Sequence, residues 1–176
     1  MKVSESLSYV VKASALAGVI YCGFSLLPLE KVTSEFTAEV LNFFQISASS
    51  YEQQGRIYLE YLHISIDCTA LEIIAIFLGL ILAAKAPLTK RVIFSVTGSS
   101  AVFFVNIARI GIVYYLLEKN IPWVLAHDLF SGTLSILAGM LFLIISEHYL
   151  PQINENLYTL LDAAEKSVRS LRPRTR

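Results

Sequence analysis

Three residues of the 176-residue chain combine reactive side chains with unusual placement: Cys68, Arg109 and His127. A thiolate is a nucleophile, a guanidinium is a fixed fork of donors, and an imidazole moves protons near neutral pH. Brought together, they could carry acyl transfer. Cys68 lies in Ile66-Asp67-Cys68-Thr69-Ala70-Leu71-Glu72, where a short alternating segment (58–66) runs into a charge-free apolar stretch (73–84). A single cysteine in such surroundings is ordinarily a small packing residue. The case for chemistry therefore depends on what else reaches the same depth.

The elements that must position these residues are membrane helices. Hydrophobic residues make up 55% of the chain and charged residues only 16%, too few to cover a soluble domain of this size. Mean hydropathy is +0.61. The expected fold is all-α and integral to the membrane, with four spans at about 7–29, 69–84, 92–117 and 129–145. The first is read as a retained anchor, since no small-x-small site follows it. An amphipathic helix over 30–50 and a short extended segment over 51–66 should lie at the outer interface. Residues 1–150 form one membrane domain, and 151–176 a basic amphipathic tail. Zero formal net charge and the lack of a basic arm argue against nucleic-acid binding. Cys22 and Cys68 form no CxxC pair, so neither a disulfide framework, a metal site nor a cofactor is expected.

Basic residues set the orientation. The 85–91 loop holds Lys85, Lys90 and Arg91, and the tail holds Lys166, Arg169, Arg172, Arg174 and Arg176. The other connections hold only Lys31, Arg56 and Lys119. Both termini should be cytoplasmic. Cys68 then opens the second span at its outer end, and His127 opens the fourth. Arg109, nine residues before Glu118, lies about 13 Å below the outer surface at 1.5 Å per residue.

Helical spacing gives matching faces: Cys68, Glu72, Ala75, Gly79 and Ala83 on the second span, Ser99, Val102, Asn106, Arg109 and Val113 on the third, and His127, Ser131, Ser135 and Gly139 on the fourth. On the first span, Ser14, Gly18 and Cys22 recur every four residues, a stripe expected to pack against another helix. Each candidate has a plainer reading. Arg109 could be paired structurally with Glu72, and His127 beside Asp128 could simply start a helix. His63, on the same outer segment as Cys68, is a rival base.

Asp67-Cys68-Thr69, Asn106-Ile107-Ala108-Arg109 and His127-Asp128 before Gly132 together resemble the exosortase/archaeosortase family, over about residues 60–148. Ala70 departs from the family pattern, which usually carries Gly after Cys-Ser/Thr. The resemblance implies a membrane cysteine peptidase or transpeptidase at the extracytoplasmic face of the cell membrane. Its substrates would be surface proteins with a C-terminal motif, one membrane span and a basic end. Cys68 would be the nucleophile, Arg109 the oxyanion stabiliser and His127 the general acid and base, with Glu72, Asn106, Asp67 and Asp128 in support. The acceptor would be water, an amine or a lipid. The alternatives are a non-catalytic scaffold or transporter subunit binding an anionic lipid or solute through Arg109, and a thiol redox protein in which Cys22 meets Cys68.

Overall fold

The computed structural model describes residues 3–171; the tail residues Arg172, Arg174 and Arg176 lie outside the described range. Six α-helices account for most of it: α1 (Val3–Phe24), α2 (Leu29–Phe43), α3 (Leu71–Ala83), α4 (Leu88–Glu118), α5 (Phe130–Tyr149) and α6 (Gln152–Leu171). Between α2 and α3 come three short strands, β1 (Ser50–Gln53), β2 (Arg56–Leu59) and β3 (Leu62–Ile64), and a 3-10 turn (Ile66–Thr69). A π-helical turn, Val124–Leu129, leads directly into α5.

Among the described residues three helical stretches are long and apolar enough to cross a bilayer: Val3–Phe24, Leu88–Glu118 and Val124–Tyr149. The fourth expected span is the short α3, at 13 residues. Its limits are local. Ala70 takes a left-handed conformation (φ 58°) that stops helix from propagating back into the 3-10 turn. At the other end Arg91 donates to the Leu82 carbonyl at 2.9 Å, satisfying a group the helix terminus leaves open. The start of the last span also differs from expectation. Helix begins at Trp123, so His127 is inside a helical turn and not on a link before it.

Helix α1 packs chiefly on α3. Close approach comes from Gly79, where an added methyl would collide with the Ala13 carbonyl and sit 3.0 Å from the Ala17 side chain. Tyr9 donates to the Leu80 carbonyl at 2.8 Å along the same seam. The stripe expected to pack, Ser14, Gly18 and Cys22, is instead exposed, and nothing lies within 4 Å of where a Gly18 side chain would be. The small residues at the helix contact are Ala13 and Ala17, one position off, which rotates the packing face by about 100°.

Two apolar clusters mark the two ends of the bundle. At one end Tyr9, Ile81, Phe94, Phe142, Leu150 and Ile153 join the 84–87 loop to α6. Asn154 donates to the Leu143 carbonyl at 2.9 Å and accepts from Ser146 Oγ at 3.2 Å, tying α6 to α5. At the other end Leu41, Leu59, Leu62, Ile64, Ile110 and Tyr114 join α2 and the sheet to the top of α4. The amphipathic helix expected near 30–50 is α2, whose buried stripe of Thr33, Ser34, Thr37, Ala38 and Leu41 faces inward.

The extended segment is a three-stranded antiparallel meander, β1-β2-β3. Gln54 and Gly55, both at positive φ, make the first two-residue turn, and Glu60 (φ 52°) with Tyr61 makes the second. Leu59, Leu62 and Ile64 point to the core, and Tyr51, Tyr58 and His63 form a cross-strand row on the opposite face. Tyr51 and Tyr58 stack at 5.6 Å, and Tyr58 meets His63 at 5.4 Å. Partial burial and then the nearby Glu118 carboxylate hold the Tyr61 phenol above its usual range, so it stays neutral.

Candidate active site

Cys68 sits in the 3-10 turn, half-buried, between the last strand and α3. Several hydrogen bonds fix its backbone. Its N–H donates to the Ser65 carbonyl at 2.9 Å, and Asn106 Nδ2 donates to its carbonyl at 2.7 Å. Thr69 Oγ1 donates to the Ile66 carbonyl at 2.6 Å and accepts from the Leu71 N–H at 3.3 Å, closing the turn onto the start of α3. The thiol itself lies 3.7 Å from Ser65 Oγ.

Asn106 is buried on α4, and Arg109 follows three residues later on the same side of that helix. From the last span, His127 Nδ1 lies 2.9 Å from Asp128 Oδ1, and the imidazole stacks on Trp123 at 4.5 Å with the rings nearly parallel (11°). Carboxylate and indole together hold the ring in one orientation. With Nδ1–H donating to Asp128, Nε2 is the nitrogen left for other work.

Cys68, Arg109 and His127 all line one cavity of about 330 Å³, together with His63, Asp67 and Ser131. A smaller cavity of about 130 Å³ lies deeper between α3, α4 and α5, with Phe77, Val102, Val105 and Leu134 among its apolar walls. Arg109 lines both, and the larger cavity carries more polar groups than the smaller.

A family model for transmembrane exosortases (Exosortase_EpsH) matches residues 9–146, most of the chain. The chain belongs to the exosortase family. No curated protein and no solved structure matches it. The matched span takes in the whole lining of the larger cavity, all of α3 and α4, and most of α1 and α5.

Of the other residues singled out from sequence, Asp67 is exposed at the cavity rim, and Asn106 and Asp128 touch Cys68 and His127 as described. Glu72 stands apart. It is exposed on the first turn of α3 and lines neither cavity, so a pairing with Arg109 has no counterpart here. Of the face assigned with it, Ala75 and Gly79 are buried, with Gly79 against α1, and Ala83 is half-buried. Sequence reasoning missed Ser65, beside the thiol, and the part played by Trp123. The four-residue step from Trp123 to His127 was a signal for that stacking. Cys22 is exposed on α1 and does not line the cavity that holds Cys68. Among the described residues no group of three or more His, Cys, Asp or Glu side chains could hold a metal ion.

Proposed function

We propose that this exosortase-family protein is a membrane cysteine transpeptidase that cuts C-terminal sorting tails through an acyl-enzyme at Cys68. The observation that carries the reading is the convergence of Cys68, Arg109 and His127 on one cavity from three separate elements. The Cys68 thiolate attacks the scissile carbonyl, forming the C–S bond. Charge then develops on the carbonyl oxygen, where Arg109 acts as electrostatic stabiliser; loss of such a donor commonly costs about 3–4 kcal/mol. Collapse breaks the C–N bond, and His127 Nε2 gives its proton to the departing amine. In the second half His127 takes a proton from the acceptor, an amine, a lipid or water, whose attack breaks the thioester and frees the thiolate.

The same reading assigns the cavity to the extracytoplasmic face. It is supported by the grouping of the start of α1, the loop with Lys85, the adjoining first turn of α4 with Lys90 and Arg91, and α6 at the opposite end of the bundle. Substrates would be surface proteins carrying a short motif, a membrane span and a basic end.

The test is a trapped adduct in a Cys22→Ala background. Brief incubation with a sorting-tail substrate and mass analysis should find a thioester on the peptide containing Cys68. Cys68→Ala should accumulate uncleaved substrate and Cys68→Ser should be nearly as inactive, since a hydroxyl ionises far less readily than a thiol. Full processing by Cys68→Ala would leave the scaffold alternative standing. An impermeant thiol reagent added to intact cells should label Cys68; labelling only after permeabilisation would reverse the assigned face.

A further inference from the structure

The meander leaves one edge open, and that edge runs into the cavity. Strands β2 and β3 are joined by the two-residue turn Glu60-Tyr61, with Leu59 opposite Leu62, His63 opposite Tyr58 and Ile64 opposite Ile57. In such a hairpin the closing pair exchanges hydrogen bonds, and bonded and non-bonded pairs alternate from there. Leu62 and Ile64 therefore direct their main-chain groups toward β2. His63 directs its N–H and C=O the other way, and no backbone group among the described residues pairs with either.

Exposed edges are normally blunted by proline, lysine, a bulge or a covering element, because they template further pairing. Leu62-His63-Ile64 carries none of these residues or a bulge. Leu62, His63, Ile64 and Ser65 all line the cavity that holds the thiol, and Cys68 follows Ser65 by three residues. The Asn106 amide on the Cys68 carbonyl holds the end of this track in place.

We propose that the open edge of β3 takes an extended segment of the substrate as a fourth strand, paired through the N–H and C=O of His63, so that the scissile carbonyl is delivered to Cys68. The inference rests on the acyl-transfer reading above. Main-chain pairing of this kind holds a peptide with little regard to its side chains and leaves alternate residues pointing to opposite faces for selection. One of those faces is continuous with the row Tyr51, Tyr58 and His63. His63 is thereby a positioning residue acting through its backbone.

The test uses the full chain with Cys22→Ala in lipid nanodiscs, and acetyl-tetraalanyl chloromethyl ketone as the probe. The rate of Cys68 alkylation is followed by mass and compared with that of chloroacetone, which carries the same reactive group without the peptide. The peptide probe should react faster. A single N-methyl group at one residue should lower its rate roughly fivefold, the worth of one main-chain hydrogen bond, with little effect at the adjacent residue. His63→Ala should keep this pattern, whereas His63→Pro, which removes no donor facing β2, should erase it. A peptide probe no faster than chloroacetone, or N-methyl effects equal at every residue, would overturn the proposal while leaving Cys68 chemistry intact. If chloroacetone left Cys68 unmodified, the acyl-transfer reading would fall and this proposal with it.

Discussion

The side-chain amide of Asn106 donates to the main-chain carbonyl of Cys68 at 2.7 Å, joining residues 38 apart in sequence. The bond locks the turn bearing the thiol to the helix bearing Arg109. Two groups on different elements thus keep a fixed relation without touching each other's side chains. Asn106→Leu should leave the Cys68 carbonyl without its donor, at a cost of about 1–3 kcal/mol. Processing should fall at least tenfold through kcat, with membrane insertion unchanged. Normal kcat in this variant would show that the turn holds its shape without the amide.

Arg109→Lys keeps the positive charge and loses the planar fork of donors. If the guanidinium works by directional donation to a developing oxyanion, the variant should process substrate at least a hundredfold more slowly, consistent with about 3 kcal/mol. A rate near that of the parent would favour a simple electrostatic or lipid-anchoring role.

Ala70 adopts φ 58° immediately before α3, a region costly for any residue with a side chain. Ala70→Gly should be accepted, since relief of backbone strain offsets the loss of one buried methyl. Ala70→Val should lower thermal stability by several degrees in detergent and silence processing, because a β-branched residue resists this conformation and Cys68 is two residues away. Equal stability of the glycine and valine variants would remove strain from the account.

Gly79→Leu should separate α1 from α3, because even a methyl group there collides with the Ala13 carbonyl. Reduced thermal stability and poor accumulation are expected, while Gly18→Leu on the exposed face should be close to neutral. Matching behaviour of the two variants would place the helix contact elsewhere.

Much of this was legible in the sequence because membrane helices announce themselves as long apolar runs. The amphipathic 30–50 stretch was equally readable. Polar residues on the apolar helices were singled out by rarity, which is how Arg109, Asn106 and His127 were found. What was not legible depended on partners. Ser14, Gly18 and Cys22 make as good a small-residue stripe as Ala13 and Ala17, and only the presence of Gly79 opposite decides between them. Glu72 has the right spacing from Cys68 for a helix, but a 3-10 turn and a left-handed Ala70 intervene and rotate it away. Three strands of three or four residues give too few alternations to count, although the Gln54-Gly55 turn was visible. The unusual conformation at Ala70, where the family usually carries Gly, had its sign in the sequence as a departure from pattern.

The 13 residues of α3 have a consequence for the surrounding bilayer. At 1.5 Å per residue the helix is about 20 Å long, whereas the hydrocarbon layer is about 30 Å thick. One end of α3 lies beside Lys85, so the other, which follows the turn bearing Cys68, falls short of a full bilayer crossing. Such hydrophobic mismatch thins the membrane locally or leaves a dimple filled from the water side. Under the proposed function, the scissile bond would be met below the mean membrane plane, by a chain still partly held in lipid. Lipid chain length then becomes a control on the enzyme: turnover in nanodiscs should be higher with 14-carbon than with 20-carbon acyl chains. Identical turnover in both would mean that the depth of Cys68 does not limit access.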